Sequence, residues 1–159
     1  MFKIGDFVVY KRDVCVVKEI VEKHYQDTDY YLLNPIDDSS LKIYVLTNNN
    51  DLRNVISKEE AFKLIEKIPS IEIISSQDKM MENHYKELMK NDCLEDLITI
   101  IKTAYLRNDD RLKQGKKISE KDDNYFKRAE KILYNELSIA LNMSVLDTKD
   151  YIIKNLENK

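Results

Sequence analysis

The side chains best suited to chemistry are few and scattered. Cys15 and Cys93, His24 and His84 sit in four different stretches, and no spacing among them would converge on a metal. Cys15 lies in an apolar run, where burial accounts for it. Cys93 opens a helical pattern, but a thiolate nucleophile needs a base beside it, and none is near in sequence. His24 falls on a strand pattern and His84 on a helical one, where exposure or a plain hydrogen bond suffices for each. Gly5 and Gly115 are isolated, so no glycine-rich loop can cradle phosphate. Asp37-Asp38, Asp109-Asp110 and Asp122-Asp123 flank turns or helix starts, where acids serve local hydrogen bonds and the helix dipole. These residues point away from catalysis, and they call for no cofactor and no metal.

Two groups of residues are better suited to binding. Lys23, Lys42, Tyr44 and Arg53 surround short strand patterns, and cations mixed with an aromatic on a sheet edge suit docking of another protein's strand. The same charges also serve to keep an open edge from aggregating. Between Arg111 and Ser119 come Arg111, Lys113, Lys116 and Lys117 with no acid, followed by Lys127, Arg128 and Lys131. Lys79, Lys86 and Lys90 recur on an earlier helical stretch. Such a cluster fits DNA phosphates, or simply a solvated face diluted by Glu82, Glu87, Asp122 and Asp123.

The elements that carry these groups change character near residue 57. Before it, Phe7–Tyr10, Val14–Tyr25, Tyr30–Pro35 and Leu41–Leu46 read as strands separated by polar turns. Gly5-Asp6 is a turn signal ahead of the first strand, and Asn48-Asn49-Asn50 marks the end of the sheet. Val14–Ile20 is too continuously apolar for one buried face. Four strands with short connections predict an antiparallel meander curled into a small barrel.

From Ser57 the period becomes helical. Ser57-Lys-Glu-Glu60 reads as a capping box, Ala61, Leu64, Ile65 and Ile68 share a face, and Pro69 stops the helix. Ile71–Ser76 reads as a returning strand or an extended linker, and the domain boundary is expected there, giving residues 1–70 and 71–159. Next come Lys79–Lys90 with Met81, Tyr85 and Leu88 on a stripe, then Cys93–Arg107 with Leu94, Leu97, Ile98, Ile101 and Tyr105 inward. Arg107–Lys117 reads as a loop. Ser119-Glu-Lys-Asp122 resembles a second capping box, opening a long helix with Phe126, Ala129, Leu133, Leu137 and Leu141 inward. Ser144–Asp147 caps a last helix with Tyr151, Ile152 and Leu156. The expected class is therefore α+β, with an antiparallel β-barrel followed by an all-α domain.

Composition limits the partners. The net charge is -3 with 35% charged residues, so any DNA contact must come from a local patch. No run approaches the roughly 18 apolar residues that span a bilayer, and the first twenty residues lack a secretory pattern. A reduced, cytoplasmic protein without membrane association is expected.

Phe2-Lys3-Ile4-Gly5-Asp6-Phe7-Val8-Val9-Tyr10, then Val14-Cys15-Val16-Val17-Lys18-Glu19-Ile20 and Tyr30-Tyr31-Leu32-Leu33, resembles the opening of the CarD/CdnL family of bacterial transcription regulators. Tyr125–Leu137 resembles that family's helical C-terminal signature. The resemblance implies a Tudor-like domain that docks on the β subunit of RNA polymerase, and a helical domain that touches promoter DNA at the upstream edge of the bubble. It implies stabilisation of the open promoter complex. Carried over by position, the polymerase-binding residues are Lys23, Tyr44 and Arg53, and the DNA-binding ones are Met81, Asn83, His84, Lys86, Lys90 and Arg128. Where the family places a tryptophan wedge this chain has Met81. Family cations are replaced by Asn83 and Asp123, a cationic sheet-edge position by Tyr44, and a turn glycine by Asp13. DNA contact is accordingly expected to be weak and polymerase-dependent. A monomer is expected, with strand-exchanged dimers allowed by an unpaired edge. The competing expectation is a protein–protein adaptor in which Met81, Tyr85 and the stretch from Arg111 to Lys117 dock another protein and no DNA is touched.

Overall fold

A computed structural model describes residues 1–157, with side chains through Lys154. The chain divides into two compact units, Met1–Ser57 and Lys58–Lys159. The division falls ahead of the expected boundary at residue 70 because Ala61, Leu64 and Ile65 are buried on a helix that packs with the other helices.

The first unit is an antiparallel sheet of five strands: β1 (Phe7–Tyr10), β2 (Asp13–Tyr25), β3 (Thr28–Pro35), β4 (Ile43–Leu46) and β5 (Leu52–Asn54). Their order is β4-β3-β2-β1-β5. Four strands had been expected. The asparagine run does not end the sheet, since the chain turns there and Leu52, Arg53 and Asn54 pair with β1. Val8, Cys15, Val17, Tyr31, Leu33 and Val45 form one buried cluster, flanked by Phe2, Tyr10, Ile43 and Leu52. Residues from all five strands can meet in one cluster only if the sheet curls. The hydrogen-bonded ladder nevertheless leaves β4 and β5 as edges, so the barrel is not closed by strand pairing. Val14 and Cys15 are both buried, which matches the unbroken apolar run.

Both tight hairpins use left-handed backbone without glycine. Tyr10 pairs with Asp13 around Lys11 (φ 47°) and Arg12 (φ 74°), and Tyr25 pairs with Thr28 around Gln26 (φ 52°) and Asp27 (φ 58°). Two positive φ values in a two-residue loop match the right-handed twist of the strands. Asp13 itself lies in β2, so the position where the resemblance sets a glycine makes no left-handed demand here.

The second unit holds α1 (Lys58–Lys67), α2 (Asp78–Lys90), α3 (Leu94–Lys113), α4 (Glu120–Leu141) and α5 (Val145–Glu157). Between α1 and α2, Ile71–Ser76 is extended but unpaired. It is pinned by Lys102 Nζ, which donates to the carbonyls of Ile68 (2.8 Å) and Ile71 (2.5 Å), and by Ile74 N–H donating to Thr103 Oγ1 (3.0 Å).

α3 runs past Arg107, where a loop had been expected, to Lys113. It ends in a Schellman motif: Lys116 N–H donates to Arg111 O (2.8 Å) and Gly115 N–H to Leu112 O (3.0 Å), with Gly115 at φ 73°. Its inward face is Leu97, Ile98, Ile100, Thr103 and Ala104, while Tyr105 is 58% exposed, contrary to expectation. On α4, Tyr125 takes the inward place expected of Phe126, which is only half-buried. The expected inward placement of Leu156 lies outside the described side chains.

Candidate interaction surfaces

On the sheet, the outer face alternates with the core face. Tyr44 on edge strand β4 is 46% exposed, and its ring stacks on His24 at 4.5 Å and 8°. Tyr30 meets the same imidazole edge-on at 5.4 Å. His24 is therefore the middle of an aromatic pile, not a lone exposed histidine. Lys23 precedes it at φ 50°, within the irregular pairing between Val21 and Tyr25, and its N–H donates to Asp29 Oδ1 (3.1 Å) instead of the ladder. A bulge of this kind re-aims the side chain it carries. Arg53 lies on the other edge strand, β5, paired with Val9, and its guanidinium donates to Asn54 O (3.0 Å). Lys23 and Tyr44 thus share one end of the sheet through His24, while Arg53 is separated from them across the strand order.

In the helical unit the central feature is Asp122, which is 2% exposed. Tyr85 Oη donates to its Oδ1 (2.8 Å), while Arg111 (2.6 Å) and Arg107 (3.1 Å) donate to its Oδ2. Arg107 also pairs with Asp78 at 2.9 Å. One carboxylate thereby joins α2, α3 and α4. Burial pushes its pKa up, but the hydrogen bonds from Arg111 and Tyr85 and the charge of Arg107 outweigh burial and hold it below the ordinary value. Burial and the bond to Asp122 push the Tyr85 phenol well up, so it stays a donor.

Asp122 does not complete a capping box. The Ser119 hydroxyl accepts from Asp122 N–H (3.3 Å), but Ser119 N–H donates to Asn108 Oδ1 (2.8 Å). Sequence reasoning missed this network because it placed Arg107 and Arg111 in a loop. The available signal was that Asp122 stands three and seven residues before Tyr125 and Ala129, on their buried face.

The network reassigns several candidates. Met81 is 3% exposed and packs inside with Tyr85, so it does not project as a wedge. Arg111 is spent on the buried Asp122, which removes it from the cation cluster, while Lys113 pairs with Asp109 at 2.9 Å and Lys90 with Glu87 at 3.3 Å on the solvated surface. Asn83, His84, Lys86, Lys90 and Arg128 are all exposed. Lys79, Asn83, Lys86 and Lys90, at spacings of four, three and four, line one stripe of α2. His84 falls off that stripe, with its Nε2 3.2 Å from Ser76 Oγ. Arg128 lies 5.6 Å over the Tyr125 ring, and that ring packs on Tyr85 at 5.0 Å. The structure therefore joins Arg128 to α2 through two tyrosines.

A second surface was not anticipated. A groove of about 530 Å³ is lined by Ile101, Tyr105, Phe126, Leu133, Tyr134 and Ile153, with the Glu130–Lys149 ion pair (3.2 Å) at its rim.

No helix among the described residues is long and apolar enough to cross a membrane. Residues 2–58 match the family model described as CarD-like/TRCF RID domain. No curated protein matches the chain.

Proposed function

From the match of residues 2–58 to the family model described as CarD-like/TRCF RID domain, we propose that this chain docks on the polymerase β subunit and stabilises the open promoter complex by touching DNA at the upstream edge of the bubble. The match over residues 2–58 carries the polymerase half of this reading. The exposed cations Lys86, Lys90 and Arg128, set on α2 and the adjoining face of α4, support the DNA half.

A chain of net charge -3 has little long-range attraction for DNA. Tethering supplies what charge does not, because a docked protein meets the promoter at high effective concentration and a few phosphate contacts then suffice. A differential affinity of ~1.4 kcal/mol for open over closed complex shifts their ratio tenfold. No group on these surfaces is asked to do chemistry, so the action is that of a binding protein and not of an enzyme.

Co-purification with polymerase tests the first half. Arg53→Glu, placed on an edge strand, is expected to lower recovery at least severalfold, and unchanged recovery removes β5 from the interface. The adaptor reading loses the face first assigned to it, since Met81 and Tyr85 are buried and Arg111 is paired. What favours it is the apolar groove between α3, α4 and α5. Footprinting separates the two readings, because an adaptor leaves the upstream bubble edge unchanged.

A further inference from the structure

Glu82 stands between two lysines from different helices. Its Oε1 is 3.7 Å from Lys86 Nζ, one turn on along α2, and 3.9 Å from Lys121 Nζ in the first turn of α4. The lysine side chains are 58% and 74% exposed, against 35% for the glutamate. Solvated pairs at such distances are weak and easily exchanged. Beside them opens a cleft of about 240 Å³, lined in part by Lys79, Glu82, Asn83, Arg107 and Lys121. Arg107 and Arg111, which also line it, are committed to Asp122 and, for Arg107, Asp78, so Lys79 and Lys121 are the lining cations that can turn outward.

We infer that Lys121 is a further phosphate contact of the DNA-facing surface, and that Glu82 occupies Lys121 and Lys86 until a backbone phosphate displaces it. The inference rests on the DNA contact proposed above. One carboxylate shared at long range between two ammonium groups leaves a local excess of one positive charge. A backbone phosphodiester brings the same single negative charge on two non-bridging oxygens, and because it is not tethered to α2 it can take both lysines at hydrogen-bonding distance. The stripe of Lys79, Asn83, Lys86 and Lys90 extends the site along α2, which suits a backbone of repeating phosphates.

The test uses the full chain on preformed polymerase–promoter complexes challenged with competitor DNA. It reads the protein concentration that gives half the maximal extension of complex lifetime. Glu82→Gln is expected to lower that concentration about two- to fivefold. Lys121→Met is expected to raise it by a similar factor and to make its salt dependence shallower by about one unit of log–log slope. In a Lys86→Met/Lys121→Met background, Glu82→Gln is expected to gain nothing. An equal gain in that background would mean a general field effect of one lost charge and would overturn the inference, as would no gain in the native background. If the native chain binds polymerase yet leaves lifetime unchanged, the DNA reading itself falls and takes this one with it.

Discussion

Asp122 shows how one side chain can organise a domain. A nearly buried carboxylate is tolerable only with its lone pairs occupied, and Tyr85, Arg107 and Arg111 occupy them from two neighbouring helices. Removing the carboxylate leaves Tyr85 without its acceptor, Arg111 with Asn108 alone and Arg107 with Asp78 alone, so Asp122→Ala is expected to cost roughly 3 kcal/mol in chemical denaturation. Tyr85→Phe, losing one hydroxyl bond to a charge, is expected to cost about 1.5–2 kcal/mol. A pH dependence follows. The folded-state pKa of Asp122 lies below the unfolded one, so the unfolded chain binds the proton more readily. This contribution is present in full above the ordinary aspartate pKa and is lost as pH falls from there through the folded value. Acid denaturation of native protein and of Asp122→Asn should differ in that window, and superimposable curves would refute the assignment.

At the scale of elements, two chain reversals decide where binding groups point. Gly115 closes α3 in a left-handed conformation with open space where a Cβ would stand, so its requirement is purely conformational. Gly115→Ala is expected to cost about 1 kcal/mol in thermal or urea unfolding, and no loss would mean the Schellman stop is dispensable. In the sheet, the irregular pairing after Val21 and the left-handed Lys23 place His24 between Tyr30 and Tyr44. An edge strand backed by stacked rings keeps its exposed aromatic in place without the entropy cost of ordering it on contact.

For the molecule as a whole, the two compact units correspond to two tasks in the proposed function. Because the sheet unit matches the CarD-like/TRCF RID family model and the helical unit carries the exposed α2 stripe, the two proposed tasks should separate by mutation. Lys86→Glu with Arg128→Glu is expected to shorten open-complex lifetime severalfold while leaving polymerase recovery unchanged. Parallel loss of both would show that the division does not hold.

The sequence by itself determined most of the elements and the α+β class, because strand alternation and helical period are local records of which side faces inward. It also carried the family resemblance of the first unit, through the ordered apolar runs from Phe2 to Leu33. Only the tertiary structure decided that β5 completes the sheet, that Met81 is core, and that Arg107 and Arg111 share the buried Asp122 carboxylate with Tyr85. The physical reason is common to all three. A three-residue strand, a methionine on a helix and a charged residue after a helix's apolar stripe have no local pattern strong enough to place them. Their positions follow from partners distant in sequence, which the folded chain alone brings within reach.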